Sequence, residues 1–123
     1  MATRAVYSFS GFPGIPERHL YLHHDGYPSG AACRLAAVHR EAGDAARFFT
    51  TFLSTQHQAE LLASPDHAAD AEYHYRVQHL PGSAPQLVVQ CWQRVPDGCR
   101  WMILCRPMQL AAFIQRFLAS DQL

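Results

Sequence analysis

Residues 21–30 read YLHHDGYPSG and mark the point where a strand gives way to a helix. Asp25-Gly26 is expected to stop the strand, because glycine readily takes a positive φ after an aspartate. Pro28 fixes the approach to the helix, and Ser29 suits the N-cap because its hydroxyl can accept a hydrogen bond from a free backbone N–H. We therefore predict a strand, a tight turn and a helix in immediate succession.

The residues before this segment predict a β-hairpin. Residues 3–10 are rich in β-formers, whereas residues 11–16 read GFPGIP and cannot form regular structure. Residues 18–24 then alternate, so that Leu20 and Leu22 face one side and the intervening side chains face the other.

The residues after it predict two helices. Apolar side chains recur at helical spacing over residues 31–39 and again over residues 45–53, with Gly43-Asp44 between them. Residues 59–63 are expected to add a helical turn before Ser64-Pro65-Asp66 ends the helical region.

The last part of the chain predicts three strands and a helix. The strands are expected over residues 71–79, 86–95 and 99–106, and residues 96–98 read PDG, a strong hairpin signal. Pro107 suits the first position of the final helix. Alternation in the last strand is expected to place four side chains on one face: Cys99, Trp101, Ile103 and Cys105.

These elements predict an α+β fold in the order ββ-αα-βββ-α. An antiparallel sheet of about five strands with the helices packed on one face is the natural way to bury their apolar sides. The chain shows no linker that would divide it, so residues 1–123 are expected to form a single domain.

The composition narrows the class of protein. Ten basic residues, all of them Arg, balance ten acidic residues, which argues against a nucleic-acid binder and against a polybasic membrane binder. No window approaches the length of a membrane span, and no signal peptide is evident. The four cysteines form no C-x-x-C pair, so we expect a reduced, cytoplasmic protein with neither a metal nor a cofactor.

His23 and Asp25 are the first candidates for catalysis. Adjacent residues on a strand face opposite sides, which separates His23 from His24 and argues against a shared metal ion. Asp25 could orient His23 as a general base if the strand persists that far. His74 would join them only if the strand order brought it beside His23, which the sequence does not determine.

Other residues are candidates for binding. Ser29 and Gly30 lie where backbone N–H groups at a helix N-terminus can hold an anion, although a rigid capped turn explains the same residues. Cysteines on half-buried strands are expected to act as small apolar residues. Four side chains on or near strands are candidates for contact with a protein partner: Tyr27, Tyr73, Tyr75 and Arg76.

Residues 21–28 (YLHHDGYP) and 70–77 (DAEYHYRV) resemble a family of small, mostly uncharacterised proteins encoded by phages, prophages and other bacterial mobile elements. Members carry a Y-x-H-x-D-G-Y-P block early and a D-x-E-Y-x-Y block before a strand. The second block matches here at Asp70, Glu72, Tyr73 and Tyr75. The resemblance implies an accessory gene in a bacterial cytosol. Small proteins in that setting often bind a host or rival protein, and some block bacterial defence systems, CRISPR effectors among them.

Three functions therefore stay open. The first is an accessory or inhibitor-type protein that acts by protein–protein contact rather than by catalysis, and an exposed edge strand would also invite a homodimer. The second is a small enzyme or ligand-binding domain that uses residues 23–30 with His23 and Asp25. The third, and least favoured, is a weak nucleic-acid binder. It would use Arg34, Arg40 and Arg47.

Overall fold

One six-stranded sheet and three helices make up the part of the chain that the structure, a computed structural model, describes: residues 3–95 and 100–121. The strands are β1 (Ala5–Ser10), β2 (Arg18–Leu22), β3 (Glu60–Leu62), β4 (Tyr73–Leu80), β5 (Gln86–Arg94) and β6 (Trp101–Gln109). The helices are α1 (Pro28–Ala42), α2 (Phe48–Thr55) and α3 (Leu110–Asp121), with short 3₁₀ turns at Ala45–Arg47 and Pro65–His67. None of the described helices combines the length and the hydropathy that crossing a bilayer requires.

The sheet is mixed, and this corrects the expectation of an antiparallel sheet of about five strands. Its order is β3-β2-β1-β4-β5-β6. Every neighbouring pair is antiparallel except β1 and β4, which run parallel from Ala5 opposite Tyr73 to Ser10 opposite Gln78. Parallel neighbours need a long connection, and here it carries α1 and α2. The α+β class and the predicted element order hold, with β3 as the addition.

Three local predictions were wrong. Residues 59–63 hold strand β3 instead of a helical turn, because Leu61 pairs with Leu20 and extends the sheet. Helix α1 begins at Pro28 with Tyr27 as its N-cap, so Ser29 lies inside the first turn and no side chain caps the helix. Pro107 lies within β6, at the edge of the sheet, where a missing N–H costs no ladder bond. The predicted PDG turn at residues 96–98 lies outside the described residues, as does Cys99.

The core lies between the sheet and the helices, all three of which pack on the same face. Tyr7 stacks on Tyr75 across the parallel pair, with ring centroids 5.1 Å apart. Phe9 contacts Phe52 of α2 at 4.8 Å, and Phe113 of α3 meets the ring of Tyr75 at 6.1 Å. These side chains are at most 2% exposed, so the aromatic rings of β1 and β4 connect the sheet to α2 and α3 within the core.

Two register shifts between β5 and β6 change which side chains share a face. Trp92 lies opposite Ile103, whereas the preceding Cys91 lies opposite Cys105, so β6 contains one extra residue at this point. The bulge turns Cys105 into the core, while Trp101 packs against the smaller apolar cluster on the helix-free face. Trp101 and Ile103 therefore share a face as expected, whereas the expectation that Cys105 shares it with them was wrong.

The two sequence blocks that carry the resemblance meet in space. The Tyr75 hydroxyl donates a buried hydrogen bond of 2.6 Å to the carbonyl oxygen of Gly26. The Tyr21 hydroxyl donates one of 2.6 Å to the Asp70 carboxylate, which also pairs with Arg4 at 3.2 Å. Each block therefore supplies a group that positions the other.

We expect Tyr75→Phe to lower the free energy of unfolding by about 1–3 kcal/mol, because it leaves the buried Gly26 carbonyl without its hydrogen bond. Tyr73→Phe is the matched control on the same strand face. Its hydroxyl has only a 3.4 Å contact with Gln93, so we expect a loss within about 0.5 kcal/mol. Urea denaturation measures both, and equal losses would contradict the clamping role of Tyr75.

Candidate functional site

Arg34 holds the turn of residues 23–30 against the helices. Its guanidinium donates to the carbonyl oxygens of His24 at 3.1 Å and Asp25 at 3.4 Å. It also donates to the Gln56 side chain at 3.0 Å and to the Tyr7 hydroxyl at 2.9 Å. Burial raises the pKa of Tyr7 to about 12, so this phenol stays neutral. Arg34 thus makes most of its hydrogen bonds to other groups of the protein. In this it differs from Arg40 and Arg47, the two exposed arginines that the nucleic-acid hypothesis groups with it.

Two open clefts flank Arg34 and Gln56, and together we call them the Arg34 trough. The first has a volume of about 270 Å³ and the second of about 410 Å³. Residues that line the first include Leu22, His23, His24, Thr55, His57 and Gln58. Residues that line the second include Asp25, Tyr27, Ser29, Gly30, Cys33 and Leu118. Most of the site residues predicted from the turn therefore border a concave surface.

The trough does not pair His23 with Asp25. Strand β2 ends at Leu22, so the alternation that would place the two side chains on one face stops before it reaches them. His23 lies 3.0 Å from Glu60 and packs edge-on against Tyr21, whereas Asp25 contacts the Tyr27 hydroxyl at 3.4 Å. The first borders one cleft and the second borders the other.

The turn owes its shape to one aspartate and two glycines. The positive φ falls on Asp25, at 58°, and not on Gly26 as the sequence suggested; aspartate tolerates this conformation. A Cβ on Gly26 would lie 2.8 Å from the Thr3 carbonyl oxygen, and one on Gly30 would overlap the Asp25 carbonyl oxygen. Both glycines are therefore required by close backbone approach, independently of the anion binding predicted for Ser29 and Gly30.

A second cluster lies on the helix-free face, and the sequence did not reveal it. The Ser8 hydroxyl is 2.7 Å from Nδ1 of His19 and 2.7 Å from Nε2 of His74. The opposite ring nitrogen of His19 lies 3.4 Å from the Glu17 carboxylate. His74 thus contacts Ser8 of β1, which in turn contacts His19 of β2. His74 does not meet His23. Alternation could have placed Ser8 on this face, yet its meeting with His74 depends on the parallel β1–β4 register.

Burial lowers the pKa of His74 to about 4, and the charges of His19 and Arg76 act in the same direction. The ring stacks on Trp92 at 5.0 Å and lies 5.9 Å from Trp101. His74 is therefore neutral near neutral pH, with one N–H to donate and one nitrogen to accept.

An apolar surface continues from these rings to the edge of the sheet. We call Trp92, Arg94, Trp101 and Ile103 the aromatic strip. The Arg94 guanidinium lies over the Trp101 ring at 4.2 Å and donates to the Ala71 carbonyl oxygen at 2.7 Å. Ile103 is 54% exposed, and the neighbouring Met102 is 51% exposed.

The predicted partner-binding residues divide between surface and core. Tyr27 is 41% exposed beside the trough, and Arg76 is exposed on the helix-free face. Tyr75 is fully buried, and Tyr73 is half-buried against the core, so neither offers a free ring to a partner. The period-two pattern of β4 could not say which of its two faces the helices would cover.

The described cysteines show no nucleophilic arrangement. Burial raises the pKa of the Cys91 thiol to about 12 and also raises that of Cys105, so both stay protonated in the core. Cys33 is exposed on α1. Within residues 3–95 and 100–121, no group of three or more His, Cys, Asp or Glu side chains is arranged to hold a metal ion.

Comparison of the chain with protein-family models, with curated proteins and with solved structures gives no match.

We expect acid to destabilise the wild-type protein more than a His74→Gln variant. Because the pKa of His74 is lowered in the folded state, the unfolded chain takes up a proton first as the pH falls below about 6.5. The protein therefore loses stability from that pH down to about pH 4, where the folded state is protonated as well. Between pH 7.5 and 5, His74 should account for about 2 kcal/mol of lost stability. Urea denaturation at the two pH values measures it.

His39→Gln, at an exposed position of α1, is the control and should keep the wild-type pH dependence. A His74→Gln protein that loses as much stability as the wild type would contradict the buried, neutral state of His74.

Proposed function

We propose that this chain is a small cytoplasmic protein that acts by protein–protein contact and binds its partner through the aromatic strip and the adjoining edge of β6. The observation that carries the proposal is the exposure of Ile103 on an outermost strand, on the same face as two tryptophans and an arginine. Tryptophan and arginine are enriched among the residues that dominate binding energy at protein interfaces.

The geometry of the strip suits a protein surface better than a small molecule. Trp92 and Trp101 are half-exposed and held in place by His74 and Arg94, so little side-chain entropy is lost on binding. The strip follows a sheet face, which is flat, and apolar residues at its outer end would contact a partner without a pocket.

The charges on the two outer strands favour an acidic partner. Neither β5 nor β6 contains an aspartate or glutamate, whereas β6 exposes Arg106. A second copy of this chain would present the same edge, which carries Arg106 and no carboxylate on β6 to pair with it. A partner that presents apolar side chains next to carboxylates would complement the strip.

The resemblance to proteins of phages and mobile elements supports a context for this binding. In that context the chain is an accessory or inhibitor-type protein of phage or mobile-element origin, and its partner is a host or rival protein. Components of bacterial defence systems, CRISPR effectors among them, are the partners that this context favours.

Ile103→Asp tests the proposal, and Leu53→Asp on α2 is its control, since the two side chains are 54% and 47% exposed. We expect the immobilised wild type and the Leu53→Asp variant to retain the same bacterial protein. The affinity of that protein for the Ile103→Asp variant should be at least about tenfold lower. Mass spectrometry identifies the retained protein, and calorimetry with that protein purified measures the affinity.

Equal affinity for Ile103→Asp and the wild type would contradict binding through the strip. Absence of any protein retained by both the wild type and Leu53→Asp would contradict the binding function. If the wild type elutes as a dimer and the Ile103→Asp variant as a monomer, the partner of the strip is a second copy of this chain and not an acidic protein.

A ligand-binding function at the Arg34 trough is the second candidate, and it continues the alternative based on residues 23–30. It is favoured by the concentration of His23, His24, His57 and Arg34 around one cleft. Protonated imidazoles and a guanidinium suit a carboxylate or phosphate group. Since His23 and Asp25 border different clefts, the arrangement favours binding over acid–base catalysis by that pair.

We expect inorganic phosphate at pH 6 to raise the thermal midpoint of the wild type, and we expect a His24→Ala/His57→Ala variant to lose most of this increase. Both side chains are exposed, so the variant should fold. His39→Ala is the control outside the trough. An increase of the same size in all three proteins would show that phosphate acts without the trough.

A further inference from the structure

With Glu17 ionised and both imidazoles neutral, one arrangement of protons suits the four side chains around Ser8. The Glu17 carboxylate lies 3.4 Å from Nε2 of His19, which favours the proton of the neutral ring on that nitrogen and leaves Nδ1 to accept from the Ser8 hydroxyl. The hydroxyl proton is then used, so Nε2 of His74 must donate to the Ser8 oxygen. The lowered pKa of His74 agrees with a neutral ring that makes this single donation.

This arrangement is that of an activated serine. A hydroxyl that donates at 2.7 Å to an imidazole, whose other nitrogen faces a carboxylate, has a general base oriented to remove its proton. A serine oxygen has two lone pairs, of which the His74 N–H occupies one. The second lone pair is left for attack on an electrophile.

A cation stands on the same face beside this serine. Arg76 lies opposite Ser8 in the parallel register of β1 and β4, and it is exposed. Its charge is close enough to lower the pKa of His74. A guanidinium in this place would stabilise the negative charge that develops on a carbonyl oxygen when Ser8 attacks it.

We propose that Ser8 is the nucleophile of an acyl-transfer site, with His19 as its general base, and that its substrates are carboxylic esters with a small acyl group. The acyl group must be small because Ser8 is only 4% exposed and lies between two imidazoles. Glu17 is a positioning residue, which holds His19 in the tautomer that can accept the proton. The inference does not depend on partner binding at the aromatic strip.

The reaction proceeds in two halves. The Ser8 oxygen forms a bond to the carbonyl carbon as its proton passes to Nδ1 of His19. The bond from that carbon to the alcohol oxygen then breaks, and the alcohol leaves with the proton from His19. Water, deprotonated by His19, attacks the acyl-serine, and the carboxylic acid leaves as Ser8 recovers the proton.

A fluorophosphonate probe tests the nucleophile on the intact wild-type protein, because it phosphonylates an activated serine with loss of fluoride. We expect one probe molecule on Ser8, located by mass spectrometry of the peptide that contains it. Ser8→Ala should abolish labelling, and His19→Gln should slow it by about tenfold or more. Ser10→Ala is the matched control, since Ser10 lies on the same strand and face and its hydroxyl makes no hydrogen bond with the described residues.

Hydrolysis of 4-nitrophenyl acetate supplies the second measurement. Glu17→Gln should lower kcat and leave KM and the thermal midpoint unchanged, as expected of a residue that orients the base. An unlabelled wild-type Ser8, or labelling of Ser8 at the same rate in the His19→Gln variant, would overturn the proposal. Because the labelled position is read on the wild type, the test stands even where a variant fails to fold.

Discussion

The parallel pairing of β1 with β4 connects two antiparallel halves of the sheet that are far apart in the chain. Residues 5–22 and 60–62 build one half, and residues 73–109 build the other. The connection between these parallel neighbours contains β2, α1, α2 and β3, and its two helices lie on the sheet. The helices therefore cover one face, and the core forms where Tyr7 and Phe9 of β1 meet Tyr75 and Val77 of β4.

The same pairing positions both groups of polar side chains. On the helix side, it brings Tyr75 to the Gly26 carbonyl and Tyr7 to Arg34, so the turn of residues 23–30 is fixed by hydrogen bonds to the two central strands. On the helix-free side, it brings His74 to Ser8. A shift of one residue between these strands would exchange the faces and separate both groups.

The surface proposed for partner binding and the serine proposed as a nucleophile occupy neighbouring parts of the helix-free face. His74 belongs to both, because one side of its ring stacks on Trp92 of the aromatic strip and its Nε2 meets Ser8. The turn of residues 23–30, although dense in polar side chains, is mostly explained by structure: Arg34 engages its carbonyl oxygens, and its glycines are required by close packing. Residue types alone pointed to this turn, whereas the proposed nucleophile lies on the opposite face of the sheet, where only the fold brings its partners together.

The sequence by itself determined most of the elements: the alternation of β2 and β4, the helix after Pro28, and the apolar helix faces are local patterns, set by backbone geometry and side-chain type. It also singled out His74 and the turn. Only the tertiary structure decided that β1 and β4 run parallel, that β3 extends the sheet, that Tyr75 is buried and that Ser8 lies between two histidines. Strand order and register depend on contacts between residues distant in the chain, such as Ser8 and His74, and no local pattern records which distant strand a residue will face.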